Sequence, residues 1–328
     1  MDVEGEPIDE GWIDIPVCEE IINKPINLLL AVDGTEPSLV GLTYITEDLM
    51  QRDRATRVEV LHVYNDTKDR NLPHKFRKDS IYMHVEAQLT GAVSKKRYKL
   101  KWIPRAATSV GHQICDAIKE MPSDYVCIGF IGRKGKKDTN LLASNTMAVL
   151  ANGQCSVICI KDETPEMLPK GRPTRYVVSV SLNKASTKAF LDTLRLSKPN
   201  DEIHVVYVKA FMERVDSDYT IALREKYAGF FSALKDEQDE VFTGFHDRQI
   251  SFTMIKKQVR ETIAEAFIRY SEDVEADFVV IGTNAMRTHR GKTPIGSVSL
   301  QILMLTERNF IVANWVDLDP AVYDRHAR

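Results

Sequence analysis

Two stretches of the chain place glycines, basic side chains and a serine in the same order. They read DYVCIGFIGRKGKKDT from Asp124 and DFVVIGTNAMRTHRGKT from Asp277. A glycine lets backbone N–H groups approach an anion, and a helix start adds free N–H groups and the positive end of the helix dipole. The pattern therefore predicts two phosphate-binding loops, unless each glycine only permits a turn and the bases face solvent. The loop residues are Gly129, Gly132 and Ser144, and then Gly282, Gly296 and Ser297.

The rest of the sequence contains no pattern that requires catalysis. RGKT at residues 290–293 resembles the end of a P-loop, but the required first glycine falls at Met286. No HExxH or GxSxG occurs, no GxGxxG follows either first strand, and no His, Cys or carboxylate group has metal-ligand spacing. His62 and His204 lie in strand-like runs, where core or edge histidines are expected. We therefore predict a protein that is not an enzyme and holds no metal.

Apolar, β-branched runs alternate with amphipathic segments along the chain. This alternation predicts strands joined by right-handed helical crossovers in parallel sheets that are covered on both faces. The predicted fold is α/β, with two doubly wound parallel-sheet domains of five strands each. The strands are residues 26–33, 57–65, 95–103, 124–131 and 156–161, then 175–181, 202–209, 249–256, 277–282 and 309–315. The helices are residues 37–51, 75–92, 109–121, 143–152, 184–196, 218–240, 261–272 and 297–306.

Proline, glycine and charge divide the chain into segments. Three prolines and one glycine interrupt residues 162–174, so residues 162–172 are a linker between domains at 25–161 and 173–316. Tails occupy residues 1–24 and 317–328. Residues 1–25 carry eight acids and one base, with apolar residues among them. The N-terminal tail is therefore either a solvated disordered segment or a segment that docks on the body or on a protein partner.

Composition limits the classes of protein to which the chain can belong. Of 328 residues 43% are hydrophobic, and the net charge of -3 gives no bulk attraction to nucleic acid or membrane. No apolar run approaches 18 residues, so no membrane span is expected. Five cysteines without a CxxC indicate reduced thiols and a cytoplasmic protein. The basic residues 95–105 suggest an acidic partner or RNA, but a solvated edge strand is the preferred interpretation, and nucleic acid is not expected as a partner.

Several stretches resemble the universal stress protein family. They are LLLAVDGTEPS at residues 28–38, LHVYN at 61–65, CSVICI at 155–160 and GSVSLQILMLTERNFIVAN at 296–314. The resemblance covers about residues 25–161 and 173–316 and implies a tandem of two such domains, each with strand order 3-2-1-4-5. Many members of the family bind ATP through an aspartate that ends the first strand, a strand-two contact to adenine, and a G-x2-G-x9-G-[ST] loop.

The resemblance implies a nucleotide site in the first repeat. Asp33 stands at the aspartate position, Val63 at the wall of the adenine pocket, and Gly129 and Gly132 at the first two loop glycines. Ala143 replaces the third glycine, after a spacer of ten residues rather than nine. A methyl group at this position crowds the place of a phosphate, so weak ATP binding is expected.

The second repeat departs from the family pattern at other positions. Ser181 replaces the aspartate and Ala285 replaces the second glycine, whereas the later Gly296 and Ser297 are intact. Loss of one charge-assisted hydrogen bond weakens binding by roughly 1.5–3 kcal/mol. We therefore expect the first repeat to be the better nucleotide site.

The family resemblance also implies how the two repeats meet. Members commonly dimerise edge to edge through their fifth strands. Here the strands at 156–161 and 309–315 are expected to pair within one molecule, as an internal pseudo-dimer that removes two exposed edges. The expected function is a non-catalytic adenine-nucleotide-binding module in stress or signalling. The alternative is a structural or interaction protein that has lost the nucleotide and belongs to a larger assembly, for example a cytoskeletal or ciliary one.

Overall fold

The computed structural model describes residues 22, 24–133, 144–162, 168, 171–210, 217–236, 242, 245–284 and 295–315, with the backbone alone for 144 and 284. Most of the two tails, much of the linker and the basic loops 134–143 and 285–294 lie outside the described residues. Strands and helices alternate in both halves, as predicted. None of the described helices is long and apolar enough to cross a membrane.

The first half runs from β1 to β5. Its strands are β1 (Asn27–Ala31), β2 (Arg57–Tyr64), β3 (Tyr98–Pro104), β4 (Tyr125–Gly129) and β5 (Ser156–Ile160). Its longer helices are α1 (Glu36–Thr43), α2 (Lys78–Ala92), α3 (Val110–Glu120) and α4 (Ser144–Asn152). Helix α1 continues through a π-helical stretch, Tyr44–Leu49, and a last turn, Met50–Arg52. The connections contain a short helix, Asp66–Asp69, and 3-10 turns at His74–Phe76 and Lys95–Arg97.

The second half runs from β6 to β10. Its strands are β6 (Arg175–Ser179), β7 (Glu202–Lys209), β8 (Gln249–Lys256), β9 (Phe278–Asn284) and β10 (Asn309–Trp315). Its helices are α5 (Lys184–Leu196), α6 (Asp218–Lys235), α7 (Ile263–Asp273) and α8 (Ser297–Leu305).

Side-chain caps fix where the helices begin. Ser109 accepts a hydrogen bond from the His112 backbone N–H at 3.2 Å and so caps α3, as predicted. Asn183 caps α5 by accepting from the Ser186 N–H at 2.8 Å. Helices α3 and α5 therefore begin a few residues beyond β3 and β6. Their first turns lie near the carboxyl ends of those strands, the edge at which ligands bind in such sheets.

The described strands form one sheet, in the order β3-β2-β1-β4-β5-β10-β9-β6-β7-β8. Each half is internally parallel and has the predicted order 3-2-1-4-5, since β1 lies between β2 and β4, and β6 lies between β7 and β9. β5 and β10 pair antiparallel, with Phe310 opposite Cys159 and Val312 opposite Val157. The two five-stranded sheets are therefore continuous, and each supplies the backbone partners that the other's edge strand lacks.

Two apolar layers cover the two faces of the sheet, and each contains residues from both halves. On one face the ring of Tyr44 packs against Phe278, with centroids 5.3 Å apart, and Phe278 stacks on Tyr176 at 5.5 Å. On the other face Phe130 meets Phe310 edge to face at 6.1 Å. Because the halves share both cores, we expect them to unfold together.

A buried polar network at the same junction centres on Asp192 of α5. Its carboxylate accepts hydrogen bonds from the hydroxyls of Tyr125 (2.9 Å) and Ser156 (2.6 Å) and from Lys188 Nζ (2.5 Å). Tyr125 and Ser156 are the first residues of β4 and β5, and Asp192 is fully buried. Burial and the Asp192 charge raise the pKa of Tyr125 well above its ordinary value, so the phenol stays protonated and donates. The network therefore fixes α5 against the first half.

Replacing Asp192 by alanine is expected to lower the free energy of unfolding by about 2–4 kcal/mol, because two buried hydroxyls and the Lys188 ammonium lose their acceptor. Urea unfolding followed by circular dichroism measures the change. Asp66→Ala is the matched control: the Asp66 carboxylate forms an exposed ion pair with Lys78 at 2.6 Å, and its loss is expected to matter by less than about 0.5 kcal/mol. Equal effects of the two substitutions would contradict the role assigned to Asp192.

Candidate functional site

A cleft opens at the carboxyl ends of β1 and β4, where the strand order of the first half reverses. Ligands bind at this position in doubly wound sheets. Residues of α3 and α4 line the cleft together with the sheet, and part of the cleft is open to solvent. Four residues expected from the sequence line this cleft: Asp33, Val63, Gly129 and Gly132.

The inner part of the cleft is an apolar slot. Strand β2 supplies Leu61 and Val63, and helix α3 supplies Val110 and Ile114. Leu61 and Ile114 are 1% and 3% exposed, so packing in the core fixes these walls. A slot lined by branched aliphatic side chains suits a flat, weakly polar ring better than a charged group.

Asp33 supplies a carboxylate beside this slot. Its Oδ1 accepts hydrogen bonds from the Thr35 backbone N–H at 3.1 Å and from Thr35 Oγ1 at 2.6 Å, which fixes the side chain. Its Oδ2 has no hydrogen bond to a described residue. A Cβ at Gly132 would lie 3.6 Å from this Oδ2. Asp33 therefore keeps an acceptor for an N–H or O–H group of a ligand, next to the second loop glycine.

The two glycines of the first loop have different surroundings. A Cβ at Gly129 would lie 3.0 Å from Ser38 N and 3.2 Å from Pro37 Cβ, so this glycine lets the first turn of α1 pack on β4. Among the described residues, the only atom within 4 Å of a Cβ added at Gly132 is Asp33 Oδ2. The packing interpretation of the glycines therefore fits Gly129, and the ligand interpretation fits Gly132.

The first turn of α4 lines the mouth of the cleft. Asn145 and Thr146 contribute to it, directly after Ser144, the first residue of the helix. Asn145 Oδ1 accepts from the Gly111 backbone N–H at 3.2 Å, which joins α4 to α3. The Thr146 hydroxyl is buried and has no hydrogen-bond partner among the described residues. Such a hydroxyl is unfavourable by about 1–3 kcal/mol, and a polar group of a ligand can supply the missing partner.

Arg133 ties the loop after β4 to the ends of β1 and β2. Its guanidinium donates to the Asp33 carbonyl (Nε, 2.8 Å), to Asp69 Oδ1 (Nη1, 3.2 Å) and to His62 Nε2 (Nη2, 3.3 Å). His62 Nδ1 lies 2.7 Å from the Val32 carbonyl, so Nδ1 carries the proton and Nε2 accepts. Burial lowers the pKa of His62, and the Arg133 charge acts in the same direction. His62 is therefore a neutral, hydrogen-bonded core histidine, as predicted.

In the second half a helix lies closer to the corresponding strand. A Cβ at Gly282 would lie 2.2 Å from the Ala185 carbonyl oxygen, so the first turn of α5 contacts the backbone of β9 directly. Ser181, at the position that matches Asp33, has its hydroxyl 2.9 Å from that of Ser186. The contacts described for Gly282 therefore serve the packing of α5. The other two predicted residues of this half, at the start of α8, are exposed: Gly296 and Ser297.

Sequence reasoning missed several residues that line the cleft or its mouth. Val110 and Ile114 lie four positions apart on amphipathic α3, which indicated an apolar face but did not distinguish them from ordinary core residues. Asn145 and Thr146 follow a predicted helix start, but the packing of α4 on α3 is what brings them to the cleft. Ala143 and Ala285, on which the departures from the family pattern depend, lie outside the described residues.

Comparisons with known proteins agree with this fold. Residues 27–161 match the sequence model of the universal stress protein family. The chain is similar to a universal stress protein from Archaeoglobus fulgidus DSM 4304, with a TM-score of 0.60 and 18% identity over 88% of this chain and 98% of that one. It is also similar to a protein of Pseudomonas aeruginosa UCBPP-PA14 provisionally assigned to the universal stress proteins. The TM-score is 0.57, with 13% identity over 95% of this chain and 100% of that one. A third similar structure is a protein of unknown function from Pseudomonas aeruginosa PAO1, with a TM-score of 0.53 and 15% identity over 91% of this chain and 94% of that one. No curated protein matches the chain.

The strand order and the cleft define a tandem of two doubly wound α/β units, the first of which has an open crevice at its switch point. Residues 27–161 belong to the universal stress protein family, as the resemblance predicted. The second half repeats the fold, and similar solved structures extend over almost the whole chain. At 13–18% identity these structures support the fold alone.

Gly282→Ala is expected to destabilise the protein by about 1–3 kcal/mol or more, because the added methyl group would overlap the Ala185 backbone and α5 would have to move. Urea unfolding measures the loss. Gly129→Ala is expected to have a smaller effect, since its nearest neighbour would be at 3.0 Å. Gly296→Ala, where no atom of the described residues lies within 4 Å of the added methyl group, is the control, with less than about 1 kcal/mol expected. If Gly282→Ala is as mild as this control, the packing role is wrong.

Protonation of His62 is expected to make stability depend on pH. The unfolded chain binds this proton near pH 6.5, whereas burial keeps the folded pKa lower, so the free energy of unfolding falls as the pH drops below about 6.5. The slope is at most about 1.4 kcal/mol per pH unit for one group. Urea midpoints between pH 7.5 and 5 measure it. His62→Gln is expected to reduce the slope, with a remainder from His204, whose pKa burial also lowers. The exposed His84, replaced by Gln, is the control, and equal slopes for both variants would contradict the prediction.

Proposed function

We propose that this protein is a non-catalytic adenine-nucleotide-binding module of the universal stress type, with ATP in the cleft of the first half. The observation that carries the proposal is the convergence of Asp33 Oδ2, Gly132 and the apolar slot in one crevice, next to the first turn of α4. An apolar slot with a few placed polar groups is the usual form of a small-molecule site.

Each part of the cleft suits one part of a nucleotide. The slot between β2 and α3, with Val63 on one wall, suits the adenine ring. The unengaged oxygen of Asp33 can accept from an amino group or a ribose hydroxyl. The start of α4, with Ser144 at its first position, offers free N–H groups and the positive end of the helix dipole to the phosphates. The buried Thr146 hydroxyl, which has no described partner, supports a polar ligand at this wall.

We assign the nucleotide to the first half rather than the second. In the second half Ser181 provides no carboxylate, and the first turn of α5 lies against Gly282. We propose that this half acts mainly as the counterpart of the first in an internal pseudo-dimer, through β5 and β10. Gly296 and Ser297 are exposed at the start of α8. For these two residues we propose no more than a weak contact with an anion.

We propose binding without chemical turnover, in the cytoplasm. Both ring nitrogens of His62 are engaged, which supports a structural role rather than that of a general base. No cluster of metal-ligating side chains occurs in the described part of the chain. The four described cysteines are buried and free of disulfides, and burial raises the pKa of Cys127 and Cys155 to about 12. Unreactive thiols of this kind support a reducing compartment.

The alternative is an interaction protein that has lost the nucleotide and is built into a larger assembly, such as a cytoskeletal or ciliary one. Ala143 at the position of a loop glycine and the close packing at Gly282 favour this alternative. It predicts no nucleotide binding by the purified protein.

Titration calorimetry with ATP tests the proposal. Wild-type protein is expected to give a saturable heat at up to millimolar ATP. Asp33→Ala is expected to weaken binding by about 10- to 150-fold, the equivalent of roughly 1.5–3 kcal/mol for one charge-assisted hydrogen bond. Ser181→Ala in the second half is the matched control and is expected to leave the affinity unchanged. Absence of any heat from the wild type, or an unchanged affinity for Asp33→Ala, would exclude the assigned site.

A further inference from the structure

The two outer edges of the ten-stranded sheet, β3 and β8, differ in how they are protected. β3 contains Lys99, Lys101 and Pro104, and charged residues and proline are the usual means of preventing an edge strand from pairing. β8 reads QISFTMIK and has no charge between its ends. No described strand lies beyond β8. A long apolar edge without such residues is a ready site for another strand.

The strand registers allow the two edges to be compared position by position. In the first half Val58 pairs with Tyr98, and in the second half Ile203 pairs with Ile250. Both pairs occupy the second position of the inner strand, so Tyr98 and Ile250 correspond. Counting onward gives three further correspondences: Lys99 with Ser251, Lys101 with Thr253, and Pro104 with Lys256. The second half therefore lacks both internal lysines and the proline of the first.

Backbone hydrogen bonds show which groups of β8 face outward. The N–H groups of Gln249 and Lys257 donate to Asp201 (2.9 Å) and Lys209 (3.3 Å), on the β7 side. Since direction alternates along a strand, the even-numbered residues point their N–H and C=O groups away from β7. These residues are Ile250, Phe252, Met254 and Lys256.

The same rule applied to β3 shows why that edge is closed to pairing. The Arg105 N–H donates to the Tyr64 carbonyl at 2.7 Å, so odd-numbered residues face β2. Pro104 then occupies an outward position, where it costs no hydrogen bond within the sheet and removes one donor from the edge.

The surroundings of β8 define the chemistry of the strand that fits it. Arg224 of α6 lies against Met254, with 3.1 Å between Nε and Sδ. Lys256 is the last residue of the strand and Lys257 follows it, with its Nζ 2.9 Å from the Glu261 carbonyl oxygen; Asp247 and Arg248 precede the strand. Apolar surface is exposed after the strand: the exposed fraction is 70% at Val259 in the following loop and 37% at Ile263, the first residue of α7. The edge therefore suits an extended segment that is both acidic and apolar.

The chain itself contains such a segment. Residues 1–21 hold eight acids and no base, together with Trp12, Ile13, Ile15, Val17 and Ile21. Fully extended, 21 residues reach about 70 Å, whereas the eight residues of β8 span about 27 Å. The segment is thus long enough to cover the whole edge.

The described chain begins beside residues that also reach the start of β8. The chain enters the described part at Ile22, which is buried, and Arg195 Nη2 binds the carbonyls of Lys24 (2.9 Å) and Pro25 (3.0 Å). Two residues beyond Arg195, the Ser197 carbonyl accepts from Arg248 at 3.2 Å, immediately before β8. The start of the described chain is therefore linked to the start of β8 through the side chains of Arg195 and Arg248 and the short turn between Arg195 and Ser197.

We propose that the acidic N-terminal segment, residues 1–21, adds to the outer edge of β8 in the same molecule as a further strand. The acids of the segment face Arg224, Lys256 and Lys257, and its apolar residues cover the exposed apolar surface beside the strand. The occupied edge is then unavailable to other chains, and release of the segment exposes it.

Hydrogen exchange of the full-length protein, measured amide by amide by NMR, tests this proposal. The outward amides of Ile250, Phe252 and Met254 are expected to exchange at least about tenfold more slowly than the corresponding outward amides of β3. The reference amides are those of Tyr98, Leu100 and Trp102. Inward amides of both strands serve as the internal control for the stability of the sheet.

Charge reversal in the segment supplies the decisive comparison. The full-length variant Asp9→Lys, Glu10→Lys, Asp14→Lys is expected to bring the outward amides of β8 to the rates seen in β3, with inward amides unchanged. Ser251→Glu with Thr253→Glu, which places like charge beside the acidic segment, is expected to act in the same way, whereas Lys99→Ser on the other edge is not. Three results would overturn the proposal: equal outward rates on both edges of the wild type, protection that survives charge reversal, and protection that rises with protein concentration, which would indicate a second copy.

Discussion

Backbone hydrogen bonds between β5 and β10 join the two halves of this chain, and most other features of the structure follow from that pairing. Asparagines of β10 complete it at both ends: Asn309 Oδ1 accepts from the Lys161 N–H at 2.8 Å, and Asn314 Nδ2 donates to the Cys155 carbonyl at 2.9 Å. Because the pairing is antiparallel, the strands of the two halves run in opposite directions. Their carboxyl ends, where such sheets bind ligands, therefore lie at opposite edges of the sheet.

The shared sheet also explains why the halves have common cores. Helix α5 of the second half reaches the first residues of β4 and β5 through Asp192, and Tyr44 of the first half reaches Phe278 at the start of β9. Each half therefore covers apolar surface of the other. The two repeats share one sheet and both cores, so they can differ in detail while the fold is kept.

The carboxyl ends of the first and fourth strands of each half show this difference at the level of atoms. In the first half the carboxylate of Asp33 binds Thr35 and keeps one oxygen for the cleft. In the second half a serine hydroxyl meets another serine at the same position, and the helix contacts Gly282 more closely than α1 contacts Gly129. Similar local sequences thus yield an open crevice in one half and close helix packing in the other.

The sequence by itself determined the strands, the helices and their order, because alternation of apolar residues and helix caps are local signals. The strands predicted at 202–209 and 249–256 coincide with β7 and β8, and Ser109 caps α3 as expected. Local signals were weaker at the ends of elements: the helix predicted to end at residue 240 is described as far as Lys235, and the π-helical stretch Tyr44–Leu49 was not foreseen.

The tertiary structure alone decided which of the predicted residues meet, and how closely. Arg133 approaches His62, and Thr146 reaches the cleft, only because distant parts of the sequence pack together. The same holds for the 2.2 Å between a Cβ added at Gly282 and the Ala185 carbonyl oxygen. A Cβ would meet helix backbone at 2.2 Å at Gly282 and at 3.0 Å at Gly129, so the two halves differ by less than one ångström in how closely a helix approaches the fourth strand. Such distances result from the packing of the whole core, which no local pattern encodes.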